Sequence, residues 1–202
     1  MARVPLTSEG VSSERLILNL EKVALSEDQF FQLCRDNSDL RLELTAQKEL
    51  IIMPPAGLNS SWRNILLSTA LANWSSTDGT GIPFDSSAGF TLPNSAVRSP
   101  DVSWVRRERF EALPKADRER FGHLCPDFVA ELMSPSNTLS ELKEKMAEYI
   151  ANGTQLGWLI DPYETRVYIY RPVRPVEVLE KPASISGDPI LPGFTFNFAE
   201  IW

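Results

Sequence analysis

Apolar positions along this chain follow two spacings, and the changes between them mark its elements. Leu40-Arg41-Leu42-Glu43-Leu44 alternates apolar and polar residues, the period of a strand with one buried face. Leu50-Ile51-Ile52-Met53 is continuously apolar, and Thr45 to Lys48 is a connection of hairpin length. Upstream, Arg15 to Leu20 reads as a strand or its lead-in. Ser26 to Cys34 reads as a helix with Ser26 as cap, Gln29 at the capping-box position and Asn37 at its exit. Pro54-Pro55-Ala56-Gly57 ends the second strand of the hairpin. Asn59-Ser60-Ser61 can then cap a helix through Trp74, whose Ile65, Leu66 and Ala70 suit packing on a sheet. Ile82 to Asp85 and Gly89 to Leu92 read as paired strands joined by Ser86-Ser87-Ala88. Residues 101–105 read as a strand and 107–120 as an exposed helix.

Residues 128–133 are a further apolar strand and 139–152 a helix, with Gly153 fitting a left-handed C′ position. Gly157 to Asp161, bounded by Gly and Pro, has the pattern of a central strand. Arg166 to Tyr170 alternates, and Val176 to Leu179 and Phe194 to Phe196 are short strands. The sum is an α/β chain, a mixed sheet with two or three helices. The strand–helix–strand unit at 128–160 implies a parallel pair with a right-handed crossover. That crossover puts the loop Ser134–Thr138 at a strand's C-terminal end, where α/β folds commonly bind ligands.

Composition narrows the class. A chain of 202 residues, 43% apolar and 23% charged, suits one domain at 15–202 after a loose polar tail at 1–14. No apolar run approaches the roughly 20 residues needed to span a bilayer. Met1 to Leu20 has no basic flank ahead of an apolar run, so no signal peptide is expected and the cytosol is the expected compartment. Cys34 and Cys125 make neither a disulfide framework nor a zinc site. A net charge of −7 argues against a surface coated with cations for nucleic acid, although basic groups can be local. The region Arg98 to Arg120 is locally basic but also carries Asp101, Glu108, Glu111, Asp117 and Glu119, so it reads as a solvated mixed-charge surface. His123 is the single histidine and reads as a surface loop residue, which disfavours histidine-driven hydrolysis.

One carboxylate stands out. Glu131 lies inside the apolar strand Phe128-Val129-Ala130-Glu131-Leu132-Met133, where a charge persists when it is paired or holds a metal. Alternation puts Asp127, Val129, Glu131 and Met133 on one face. Asp101 opens another apolar strand about thirty residues earlier, and Lys143 and Lys145 sit on the helix that follows Glu131. Two acids on neighbouring strands with a lysine nearby would make a divalent-cation site for phosphodiester hydrolysis. From the residues alone, Glu131 reads equally well as a strand-end acid paired with a cation, and Asp101 reads first as a turn acid. With Leu139, Leu142, Met146, Tyr149 and Ile150 as the buried stripe, Lys143 and Lys145 flank it on opposite sides, and spacing does not choose between them.

The runs Arg98-Ser99-Pro100-Asp101, Leu124 to Ser136, Lys145 to Gly153, Trp158-Leu159-Ile160-Asp161-Pro162, Val167 to Pro172 and Leu191-Pro192-Gly193-Phe194 together resemble the Uma-two family. Its members are grouped as endonucleases of the restriction-endonuclease-like, PD-(D/E)XK superfamily. The resemblance covers roughly residues 15 to 202. It implies a central mixed sheet flanked by helices, a magnesium or manganese site and DNA as substrate. It carries Asp101 and Glu131 over as metal ligands. The superfamily's lysine position, two residues after the acid, is Met133 here. The resemblance is to variants whose lysine has moved to the next helix, which selects Lys145 as the catalytic cation. Glu43 matches the family's strand acid before the hairpin, as a further ligand or water-orienting group, and reads equally as a polar residue on an alternating strand. Asn64 stands where many members have histidine, and Gln47 where many have glycine. The competing expectation is a weak or inactive nucleic-acid-binding or assembly module on the same fold. Restriction enzymes of this fold often dimerise, so a homodimer is a further expectation; a membrane partner is not expected.

Overall fold

The two runs at 41–44 and 49–53 do pair as an antiparallel hairpin, with Leu42 opposite Ile52. A computed structural model of the chain describes residues 16–23 and 25–202. The tail expected at 1–14 and Arg15 lie outside the described residues. In chain order the elements are β1 (Leu16–Asn19), α1 (Glu27–Asp36), β2 (Arg41–Leu44), β3 (Glu49–Met53), α2 (Leu58–Asp78), β4 (Gly81–Asp85), β5 (Phe90–Thr91), β6 (Val97–Arg98) and β7 (Val102–Arg106). They continue as α3 (Arg107–Ala112), α4 (Lys115–Arg118), β8 (Phe128–Leu132), α5 (Leu139–Ala151), β9 (Leu156–Asp161), β10 (Arg166–Tyr170), β11 (Glu177–Glu180), β12 (Ser184–Ser186) and β13 (Thr195–Asn197). Among the described residues no helix is long and apolar enough to cross a membrane.

The strands form a six-stranded sheet in the order β11-β10-β9-β8-β7-β4, a five-stranded sheet in the order β1-β3-β2-β6-β5, and the small pair β12-β13. Where the sequence suggested one mixed sheet, the chain builds a larger mixed sheet and a smaller antiparallel one. β8 and β9 run parallel on either side of α5, the strand–helix–strand unit read from the sequence; every other pairing between named strands is antiparallel. One face of the larger sheet, with Trp104, Phe128, Ala130 and Trp158, packs on Leu67 and Leu71 of α2 and on the C-terminal Phe194, Phe196 and Phe198. The opposite face, with Val129 and Leu159, packs on Leu142, Met146 and Tyr149 of α5. Phe30 of α1 covers Leu42, Leu44, Leu50 and Val97 of the smaller sheet. Burial of such side chains, about 1.5–3 kcal/mol each, is what fixes the three layers.

Three local expectations are corrected. β4 and β5 do not pair with each other: β4 joins β7 in the larger sheet and β5 joins β6 in the smaller. The link between them carries an Asp85 turn, whose Oδ1 accepts the Ser87 N–H at 3.0 Å, and it hands the chain from one sheet to the other. α2 is capped by Gly57 rather than by Asn59–Ser61, and it runs to Asp78 instead of ending at Trp74. In its last turns the hydroxyls of Ser76 and Thr77 donate to the Asn73 carbonyl, and that of Ser75 to the Gly81 carbonyl beyond the helix. Gly79, at φ +73°, then closes it. The helix expected over 107–120 is two short helices split at Leu113-Pro114, because proline cannot donate within a continuing helix.

Two features set how α5 sits. Thr138 and Glu141 cap its start reciprocally. Gly157 of β9 faces Met146: a Cβ there would lie 2.4 Å from the Met146 methyl, so glycine lets the helix approach the sheet.

His123 is exposed, as expected, and it ties α1 to the loop after α4. Its Nε2 lies 2.9 Å from Glu27 Oε2 and its Nδ1 3.2 Å from Asp117 Oδ2. The Glu27 hydrogen bond, and after it Asp117, raise the imidazole above its usual 6.5. A raised value stabilises the fold fully below the unfolded pKa and loses that stabilisation as pH rises through the folded one. The stability difference between wild type and His123→Gln should therefore shrink from pH 6 to pH 9 in paired urea titrations. It amounts to a few tenths of a kcal/mol at most, because the pair is exposed.

Candidate active site

Alternation on β2 sends Leu42 and Leu44 under α1 and puts Arg41 and Glu43 on the other face. On β8 the same rule sends Glu131 to the α5 side with Val129. Asp101 lies between β6 and β7, where the chain passes from the smaller sheet to the larger. These three segments and α5 wall a cleft of about 560 Å³, lined among others by Arg41, Glu43, Asn64, Arg98, Asp101, Glu131, Ser134, Ser136, Lys145 and Glu148.

Lys145 is the hub. Its Nζ lies 2.8 Å from Glu131 Oε1 and 2.9 Å from Glu43 Oε1, and its side chain is only 12% exposed. Lys143 points elsewhere, with its Nζ 4.7 Å from the centre of the Tyr168 ring. Of the two helix lysines that spacing left open, Lys145 is therefore the one in the cleft. Tyr149, one turn on, donates to Glu131 Oε1 at 3.1 Å. Asp101 Oδ2 accepts the Leu132 N–H at 2.9 Å, which fixes it beside Glu131 across the β7–β8 edge. Its Oδ1 takes Arg41 Nη1 and Nη2, both at 3.1 Å, and Asn64 Nδ2 at 3.4 Å. Asn64 Oδ1 is buried with no partner among the described residues. Met133, two residues after Glu131, is half-buried against the apolar face that carries α5.

Glu43 is held from three sides: by Lys145, by Arg98 Nη1 at 3.1 Å and by the Ser99 N–H at 3.0 Å. Arg98 in turn donates from Nε to Glu148 Oε2 at 2.6 Å. Glu148 lies one turn after Lys145 on α5, so the four side chains Lys145–Glu43–Arg98–Glu148 close a ring between the smaller sheet and the helix.

Burial and charge set the protonation pattern. Burial pushes the Glu131 carboxyl up to about 7, aided by Asp101 and Glu43 and opposed by Lys145. Burial also acts on Glu43, but Lys145 and Arg98 outweigh it and hold that carboxyl down to about 2. Burial alone would lower Lys145; Glu131 and Glu43 reverse that and hold it above its usual value. Two neighbouring acids thus differ because one has two cations and the other shares one.

The residues foreseen from sequence, Asp101, Glu131, Lys145 and Glu43, all reach the one cleft. Arg41, Arg98, Glu148 and Tyr149 were not foreseen. Arg41 and Glu43, two apart on a strand, and Lys145 and Glu148, three apart on a helix, were signals available in the spacing.

Among the described residues no three His, Cys, Asp or Glu side chains form a ready metal cage. The donor set nonetheless fits a hard cation. Asp101 and Glu131 supply carboxylates and the orphaned Asn64 Oδ1 a buried neutral oxygen. Magnesium is held by one or two carboxylates and keeps several waters. The set lacks the nitrogen and sulfur donors that zinc prefers.

The family model described as "Uma2: Putative restriction endonuclease" matches residues 27–199. Among solved structures, the chain is similar to a crystal structure titled as a "putative nuclease belonging to DUF820" from Anabaena variabilis. The TM-score is 0.73 at 20% identity, over 87% of this chain and 96% of that one. At that identity the likeness is one of fold. No curated protein sequence matches.

Proposed function

The chain belongs to the Uma2 family of restriction-endonuclease-like proteins, and on that premise we propose that it hydrolyses phosphodiester bonds of DNA with a bound magnesium or manganese ion. The observation that carries this reading is Lys145, whose ammonium sits in the same cleft as Asp101 and Glu131 although the three lie on different elements. Asp101 and Glu131, with Asn64 Oδ1 beside them, would hold the ion. A divalent cation there would acidify a water and neutralise charge growing on the phosphate. Lys145 supplies a fixed ammonium for the same charge, in a walled cleft where that interaction is stronger than in bulk water. Glu43, with cations or N–H groups on three sides, acts by keeping Lys145 charged and in place rather than as a ligand. Tyr149 holds one oxygen of Glu131 and so limits how the carboxylate turns.

Calorimetric titration of magnesium and manganese tests the reading. Wild type is expected to bind and the Asp101→Ala/Glu131→Ala double variant to give only dilution heats. Equal heats from both proteins would overturn the assignment of the two ligands. A wild type that binds the ion yet leaves plasmid and linear duplex uncut would favour the inactive-module reading.

A further inference from the structure

We propose that Arg41 is the residue that grips the DNA phosphate backbone in the cleft, an inference that rests on the nuclease reading above. The cleft presents a problem for a polyanion: carboxylates outnumber cations along its wall, and the cations lining it are Arg41, Arg98 and Lys145. Two of these are committed. Arg98 is 8% exposed and divides its guanidinium between Glu43 and Glu148. Lys145 is bracketed by Glu43 and Glu131. Arg41 differs in three respects. Its side chain is 32% exposed to the cleft. Its ion pair uses a single carboxylate oxygen, Asp101 Oδ1, with the Ser99 carbonyl as a second acceptor. Its Nε–H is buried with no acceptor among the described residues, so the guanidinium is one acceptor short.

A planar guanidinium partly open to the cleft is the side chain best matched to a phosphate, which it can engage through two parallel N–H groups. Its position also suits the task. Arg41 is paired with Asp101, one of the two proposed ligands, so an ion held by Asp101 and Glu131 would compete with Arg41 for that carboxylate and turn part of the Arg41 charge towards incoming substrate. Arg41 thus acts as a substrate-binding residue at a point where the rest of the wall repels.

The alternative is that Arg41 serves only to neutralise Asp101. The two differ in salt dependence, since each phosphate neutralised by a protein cation contributes about 0.9 to the slope of log K against log salt. The test is anisotropy of a fluorescein-labelled DNA duplex with full-length protein in saturating calcium, from about 0.05 to 0.2 M salt, each sample checked on a denaturing gel to be uncut. Arg41→Gln is expected to lose roughly tenfold in affinity near 0.1 M salt and to lower the slope by about one, with Arg41→Lys recovering the slope. An Arg41→Gln slope equal to that of wild type, in a variant with unchanged near-UV dichroism, overturns the inference and leaves the nuclease reading standing. A wild type that does not bind the duplex in calcium overturns the nuclease reading itself, and this inference with it.

Discussion

Glu131→Gln is expected to lower DNA cleavage at least a thousandfold while leaving the protein folded. The side chain keeps its shape, so Tyr149 and Lys145 retain an oxygen to bond at 131. What disappears is one of the two negative charges proposed to hold the ion. A thousandfold corresponds to about 4 kcal/mol of transition-state stabilisation, the scale expected when a divalent cation is lost or loosened in a walled site. Stability should move the other way in metal-free buffer. The folded-state pKa of Glu131 is raised to about 7 from 4.5. The carboxyl's contribution to stability is therefore full below about pH 4.5 and is lost as pH rises through 7. At pH 8 the variant escapes that loss and should unfold at equal or higher urea than wild type. Single-turnover cleavage assays with parallel urea titrations check both halves. A variant that is inactive only in proportion to its unfolded fraction would show that Glu131 is structural.

Arg98→Met carries the largest expected cost in stability, about 3–5 kcal/mol, because it strands a buried carboxylate. Arg98 lies between Glu43, at 3.1 Å, and Glu148, at 2.6 Å. Glu148 retains Asn94 Nδ2 at 2.9 Å, but buried Glu43 would keep only Lys145 and one backbone N–H. The pH dependence follows from Glu43. Its folded value near 2, against 4.5 unfolded, gives stability that is present above about pH 4.5 and lost as pH falls towards 2. The gap between wild type and Arg98→Met should therefore be widest near pH 7 and narrow below pH 4. Urea midpoints at both pH values measure it. Adding Glu43→Leu to Arg98→Met should recover part of the loss, since it removes the buried carboxylate that Arg98→Met strands.

Much of this arrangement was legible in the sequence, for a physical reason. β8, α5 and β9 are long or fully buried elements, the strands buried on both faces, and they appeared where the spacing put them. Ser26 and Gln29 carried a capping box that needs no tertiary partner. The pairing of β4 with β7 rather than β5 was not legible, because strands of two to five residues carry too little pattern to name a neighbour. Arg98 was misleading in a different way. Seen with the arginines that follow it, it looked like part of a solvated charged surface. It is buried because Glu43, 55 residues earlier, and Glu148, 50 residues later, arrive on either side of it. Asn64 had no readable role until its amide nitrogen was seen at 3.4 Å from Asp101.

The ring through Lys145, Glu43, Arg98 and Glu148 has a consequence for a chain still being synthesised. Glu43 leaves the ribosome 55 residues before the first cation that neutralises it and 102 before the second. Until then its carboxylate has no favourable place in an interior, so the face of the first hairpin that carries Glu43 gains little by being covered, although Leu42 and Leu44 on the other face can already pack on Phe30. Lys145 arrives after both proposed ligands, and β9, which seats its helix, comes later still. An emerging polypeptide therefore carries Glu43, Asp101 and Glu131 before Lys145, the cation proposed to act with them, and the proposed site stays incomplete until most of the length is made.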